Sequence, residues 1–268
     1  MSLPLVEING IAASAAQMLA AGAGYGHFTS LQVRDGAVAG LSLHFRRLAD
    51  ATQRLFGSTL DLAQLRVWLE QALRNANALD AASVRIVVHA ARFDRERPEA
   101  ATPVDVMIAV SAAIERKRVP LRVQLRAYER ELPQVKHLAT FGLLWQRREA
   151  RLAGYDDALF ETRAGLISEG SVWNIGFWDG ARVIWPQAPM LDGISQQVLK
   201  LGLVRNGVAS EVRELRREQL RDLSSAFACN ANGVAVPIAS IDGIGFDPAP
   251  ELIDELLRCY ESAEPEAV

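Results

Sequence analysis

Lys136 stands in the segment Leu132-Pro-Gln-Val-Lys136-His-Leu, between Pro133 and an amphipathic stretch. Lysine occurs only at 117, 136 and 200, while arginine supplies nearly all other positive charge. A lysine among apolar neighbours loses hydration, which lowers its pKa and makes it an amine nucleophile. The same position also suits a lysine whose stem lies along an apolar surface with its head in water. Glu169, in Ile167-Ser-Glu169-Gly-Ser171, follows a β-rich run; its carboxylate can accept from a ring nitrogen or close a turn. Leu191-Asp-Gly193-Ile194-Ser195 opens a helix, where free N–H groups and a hydroxyl make either an anion site or an ordinary N-cap. Arg47 lies on an earlier helix, facing either solvent or an anion.

Other chemistries find no support. His27, His44, His89 and His137 lack the spacing of a zinc site, and His44 reads as structural. There is no nucleophile elbow, P-loop or dinucleotide fingerprint. Cys229 and Cys259 form neither a disulfide framework nor a CxxC pair. A net charge of -3 gives no basic surface for nucleic acid or an anionic membrane. No basic segment followed by an apolar run opens the chain, and no apolar stretch is long enough for a span, so a cytoplasmic location is expected.

The elements that must position these residues are mixed strands and helices. His27–Arg34 reads as a strand turning at Asp35-Gly36. Ser42 is expected to cap a helix over about Leu43–Leu55, and Asp61–Asn75 forms a second, with Leu62, Leu65, Leu69 and Leu73 on one face. Residues 83–90 and 104–111 are β-rich. Residues 116–122 form a short link between an N-terminal domain, 1–115, and a larger C-terminal domain, 123–268. Beyond it, 121–128 is a strand and a helix runs from about His137 to Ala153, ended by Gly154. Hairpins turn at Ala164-Gly165 and Asp179-Gly180. Helices are expected over 194–203, 216–223 and 249–263, with strands at 227–229 and 234–238. This irregular alternation argues for a mixed α+β or α/β fold.

Taken in order, the motifs resemble the class IV aminotransferases, the fold-type IV pyridoxal-phosphate enzymes. They are Gly26-His-Phe28-Thr29, Asp35-Gly36, His44-Phe-Arg-Arg47-Leu48, Lys136-His-Leu, Gly154-Tyr-Asp-Asp-Ala-Leu, Gly165-Leu-Ile-Ser-Glu169-Gly-Ser, Asn174 and Leu191-Asp-Gly-Ile-Ser195. The resemblance spans about Gly24 to Asp242. It implies two α/β domains with pyridoxal 5′-phosphate between them, in a homodimer. Lys136 matches the lysine that bonds covalently to the cofactor, and Glu169 the partner of its pyridine nitrogen. Arg47 matches a phosphate-binding arginine, and Gly193, Ile194 and Ser195 a phosphate contact in which serine replaces threonine. Asn230 and Ala231 fall at a further phosphate contact. Ala231 stands where the family usually has Thr or Ser, so one hydroxyl is absent. Phe141 replaces the tyrosine of branched-chain members, which weakens a branched-chain assignment. Arg92, Arg95, Arg97 and Phe28 are candidates for contacting substrate.

The resemblance implies transfer of an amino group between an amino acid or amine and a 2-oxo acid. Lys136 would move the α-proton, and an anionic Glu169 would hold the ring proton. The runner-up is aminodeoxychorismate lyase, which eliminates pyruvate on the same fold. Gly26-His-Phe28-Thr29, Lys136-His137-Leu138 and Phe227-Ala-Cys229-Asn230 lean toward it, while Glu-Gly-Ser and Leu-Asp-Gly-Ile lean toward transaminases. A third reading is a non-catalytic dimer that holds cofactor or a partner; retention of both Lys136 and Glu169 argues against it.

Overall fold

The computed structural model describes residues 4–22, 24–90, 92–115 and 119–268, with the backbone alone at 16, 19 and 20. Residues 116–118 of the expected link therefore lie outside the described residues. Contacts group the chain into two compact units. One comprises Met1–Ile114, Val135–Ala139 and Pro265–Val268; the other comprises Glu115–Gln134 and Thr140–Glu264.

In the first unit the order is β1 (Leu5–Ile8), β2 (Ile11–Ala12), α1 (Ala15–Ala21), β3 (Gly26–Arg34), β4 (Ala37–Val38), α2 (Leu41–Phe56), α3 (Leu62–Asn75), β5 (Ala81–His89) and β6 (Asp105–Ser111). An antiparallel sheet runs β4-β3-β5-β6-β1-β2, with the C-terminal strand Glu266–Ala267 added outside β4. Side chains alternate along a strand. On β3, Leu31 and Val33 therefore join Val84, Ile86 and Val88 of β5 and Leu41, Leu48, Leu65 and Leu69 of the helices in one core. Full burial of such a side chain contributes about 1.5–3 kcal/mol. The other face carries Phe28 opposite Val87 and Ser30 opposite Arg85. Asp35 and Gly36 both take positive φ, at 52° and 71°, as the two-residue turn requires.

Two helix starts differ from expectation. Asp61 does cap α3, accepting from the N–H groups of Ala63 and Gln64 at 3.0 Å. Ser42, however, lies inside the first turn of α2; the cap position is Gly40, in a left-handed conformation. Glu266 does the capping instead, accepting from the Ser42 N–H at 3.0 Å and its hydroxyl at 3.0 Å.

The second unit contains β7 (Leu121–Ala127), α4 (Phe141–Leu152), β8 (Asp157–Glu161), β9 (Ile167–Gly170), β10 (Asn174–Trp178), β11 (Val183–Pro186), α5 (Ile194–Arg205), β12 (Ser210–Arg213), β13 (Ser225–Asn230), β14 (Gly233–Ile241), β15 (Ile244–Gly245) and α6 (Pro250–Glu261). Strands β10-β13-β14-β7-β8-β9 close into a ring because β9 pairs back onto β10 through Glu169 and Asn174. Such closure removes the sheet edge. Its interior packs Val123, Leu159, Ile167, Ile175, Phe177 and Ile238. The segment expected to be helical at 216–223 is a 3-10 helix over Arg217–Asp222.

The helix after the lysine starts at Phe141 rather than His137. Residues 136–138 stay out of the helix because their backbone is already paired. The Phe28 N–H donates to the Lys136 carbonyl and the Leu138 N–H to the Gly26 carbonyl, each at 2.9 Å. A Cβ on Gly26 would meet the Val88 carbonyl oxygen at 2.6 Å and Leu138 Cδ1 at 3.0 Å, so only glycine allows this approach.

Candidate active site

In the first unit the β3 pairing brings Lys136 beside Phe28. The Lys136 Nζ lies 4.9 Å from the Phe28 ring centroid. The Arg85 guanidinium lies over the same ring at 3.9 Å, an attraction of about 0.5–2 kcal/mol. Arg85 has no carboxylate or hydrogen-bond partner among the described residues. It escaped the sequence reading. Its available signal was a cation within the apolar run Val84-Arg85-Ile86-Val87, whose alternation turns Arg85 away from the core. The register that sets it beside Phe28 joins two distant strands and is not visible in either. Arg92, Arg95 and Arg97 are exposed, as Arg85 is, but lie on the following loop, and Arg97 pairs with Asp94 at 3.0 Å.

On the helix-facing side of β3, Arg47 donates to Thr29 Oγ1. Thr29 is buried and lies 2.6 Å from His44 Nδ1. With the oxygen accepting from Arg47, the Thr29 hydroxyl is free to donate to Nδ1, which places the His44 proton on Nε2. Burial, then the charges of Arg47 and Lys136, hold the His44 pKa well below its ordinary value. Burial and Arg47 hold His27 down to about 3. Both rings are neutral near pH 7, so the positive charge of this cluster rests on Arg47. Arg47→Ala should therefore weaken cofactor retention by roughly ten- to a hundredfold, the scale of one hydrogen bond to a charged group. Equilibrium dialysis against pyridoxal phosphate checks this. Unchanged affinity would leave Arg47 as a structural partner of Thr29 alone.

In the second unit Glu169 is buried on β9, with its Oε1 accepting from the Leu191 N–H at 3.2 Å. The buried Arg130 guanidinium stands 3.9 Å from the same oxygen, compensating a charge that burial would otherwise make costly. Sequence reading also missed Arg130, which follows β7 and meets Glu169 two strands away on β9. Asn174, opposite Glu169, donates to the Leu191 carbonyl at 2.8 Å. Gly193 is the N-cap of α5, with no side-chain cap and no acidic residue in the first turn. Ile194, Ser195 and Gln196 are buried there. Asn230 is engaged in its own turn, accepting from the N–H groups of Asn232 and Gly233 at 2.9 and 3.0 Å and donating to the Val172 carbonyl at 3.1 Å. Ala231 lies in that same turn, and Phe141 is 79% exposed at the start of α4. Among the described residues no cluster of His, Cys, Asp or Glu could hold a metal, and no helix is long and apolar enough to cross a membrane.

One unit is an antiparallel sheet packed with helices and the other contains a closed six-strand ring; each carries part of the motif set, and together they define a fold-type IV architecture. The sequence profile of the amino-transferase class IV family matches residues 26–241, and the chain belongs to that family. A probable branched-chain-amino-acid aminotransferase of Rickettsia bellii is 32% identical over 114 residues, 41% of this chain. The match covers only 38% of that relative's length. The crystal structure of a branched-chain aminotransferase from Thermoproteus uzoniensis with norvaline has the same fold. It superposes with a TM-score of 0.85 at 20% identity, covering 97% of this chain and 94% of that one. A putative 4-amino-4-deoxychorismate lyase from Legionella pneumophila does so at 0.81 and 18%, covering 90% and 92%.

The cofactor of this family is pyridoxal 5′-phosphate, and the residues present fit it. The uncapped α5 start suits a phosphate. Gln196 in its first turn is fully buried, yet its Oε1 and Nε2 lack hydrogen-bond partners, as does the buried Nε of Arg130 beside Glu169.

Proposed function

We propose that this protein is a pyridoxal-phosphate-dependent aminotransferase acting on an amino acid or amine and a 2-oxo acid. The observation that carries the reading is the sharing of one aromatic ring, Phe28, by an amine and an unpaired guanidinium. Lys136 supplies the nucleophilic amine and afterwards the proton carrier. Arg85, preset by its stacking on Phe28, receives the substrate carboxylate, a role its fork geometry suits. Bound pyridoxal phosphate supplies the electron sink that stabilises the charge left when the α-proton departs. Glu169 is suited to hold the ring nitrogen through a charged contact; Arg47 in the first unit and the Gly193, Ile194 and Ser195 turn in the second are each suited to an anion such as the phosphate. At Ala231 the backbone N–H would serve an anion in place of the missing hydroxyl. The exposed row of Phe141, Leu144, Trp145 and Leu152 on α4 supports a homodimer. Two free thiols, Cys229 and Cys259, fit a reducing, cytoplasmic compartment.

Elimination of pyruvate from aminodeoxychorismate is the second reading, favoured by the Gly26–Thr29, Lys136–Leu138 and Phe227–Asn230 segments. The two reactions differ in what they leave on the enzyme. Transfer proceeds in halves and stores the amino group after the first, whereas elimination returns the enzyme unchanged and needs no acceptor. An amino donor given alone should therefore bleach the visible band of the holoenzyme in a single turnover, and a 2-oxo acid should restore it. If a broad donor panel leaves the band intact while aminodeoxychorismate yields pyruvate catalytically, the protein is the lyase.

A further inference from the structure

The loop that leads into α5 is strapped to the strands that close the ring. Ser168 Oγ donates to the Pro189 carbonyl at 2.9 Å. Glu169 and Asn174 then grip one residue at both its polar groups, Glu169 accepting from the Leu191 N–H at 3.2 Å and Asn174 donating to the Leu191 carbonyl at 2.8 Å. Asn174 also fixes the next turn of the loop. A Cβ on Gly193 would lie 2.0 Å from Asn174 Oδ1. The Gly193 backbone is ordinary, with φ −68° and ψ 136°, so glycine is required here by the closeness of Asn174 and not by conformation. Glu169, Asn174 and Leu191 are all buried.

We propose that Asn174 is a positioning residue that locks the Glu169 carboxylate and the N-terminus of α5 into one rigid unit. It thereby sets the spacing between the group that meets the cofactor's ring nitrogen and the group that meets its phosphate. This role presupposes the cofactor contacts of Glu169 and α5 proposed above. The cofactor's ring and phosphate are separated by a nearly fixed distance. Two contacts on a freely moving loop would meet it in few conformations, whereas a preorganised pair meets it without further ordering. Ser168, Glu169 and Asn174 remove the loop's freedom at three successive points, and Asn174 alone touches both Leu191 and Gly193.

The test uses apo full-length protein and two probes, pyridoxal 5′-phosphate and unphosphorylated pyridoxal. Asn174→Ala should weaken pyridoxal phosphate binding by roughly ten- to a hundredfold, the scale of one lost buried hydrogen bond, and pyridoxal binding by much less. Gly193→Ala, which drives Asn174 aside without deleting it, should produce the same split and serves if Asn174→Ala does not fold. Combining Asn174→Ala with Glu169→Gln should cost less than the product of the single effects, because contacts within one network do not add. The pH titration of the bound chromophore should shift in Asn174→Ala toward its behaviour in Glu169→Gln, which a purely structural asparagine would not cause. Equal losses for both probes, or effects that multiply independently, would overturn the tie. If Glu169→Gln by itself moves neither affinity nor the titration, the assignment of Glu169 fails first, and the tie with it.

Discussion

Lys136→Ala should abolish amino transfer, lowering turnover on the order of a thousandfold or more, since the proposed role makes one group both nucleophile and proton carrier. The covalent partner can be identified directly. Borohydride reduction of the holoenzyme followed by peptide mapping should place the phosphopyridoxyl mass on the peptide that holds Lys136. The rival among the described residues is Lys200, whose pKa is lowered by burial and whose Nζ lies 5.4 Å from the Trp185 ring centroid. A lowered pKa alone would thus nominate Lys200 as the reactive amine. Lys136 is preferred because of its surroundings. Its Nζ shares the Phe28 ring with Arg85, and the Phe28–Lys136 and Gly26–Leu138 hydrogen bonds fix its backbone on both sides. A label on Lys200 or Lys117 would overturn the assignment.

Glu169→Gln should keep the cofactor bound while slowing α-proton removal on the order of a hundredfold, the loss typical of deleting one preorganised charged partner. An α-deuterated donor reads the affected step, because the isotope effect on turnover should grow. The variant also leaves Arg130 buried beside a neutral amide, a penalty of about 3–5 kcal/mol for breaking such a pair. Adding Arg130→Met should recover much of the lost stability without recovering the rate. Full activity in folded, cofactor-loaded Glu169→Gln would reduce Glu169 to the residue that closes the ring.

Much of the fold was legible because its signals are local. Asp61 before a leucine-spaced helix, the positive-φ pair Asp35-Gly36 and the turns at Gly165 and Gly180 each declare themselves within a few residues. The misread helix at 137–140 shows where locality ends. Its pattern is compatible with a helix, but the backbone groups of Lys136 and Leu138 are claimed by β3, more than a hundred residues earlier in the chain. The site divides along the same line. Lys136, Glu169 and the Gly193–Ser195 turn sit in contiguous motifs and are candidates that the sequence offers directly. Arg85, Arg130 and the bracing role of Asn174 depend on register and ring closure. The loop arginines 92, 95 and 97 attracted attention by clustering, whereas the arginine that shares a ring with Lys136 stands alone within a strand.

The capping of α2 by Glu266 has a consequence for the order of events on the ribosome. The helix bearing His44 and Arg47 is synthesised well before the carboxylate that starts it and the strand that covers β4, which begin 224 positions downstream of Ser42. Domains usually fold as they emerge, N-terminal first. Here the first unit also needs the Val135–Ala139 segment against β3. The nascent chain therefore holds this unit with an open edge and an uncapped helix until residues 266–267 emerge, and the helix bearing Arg47 gains its final support only then.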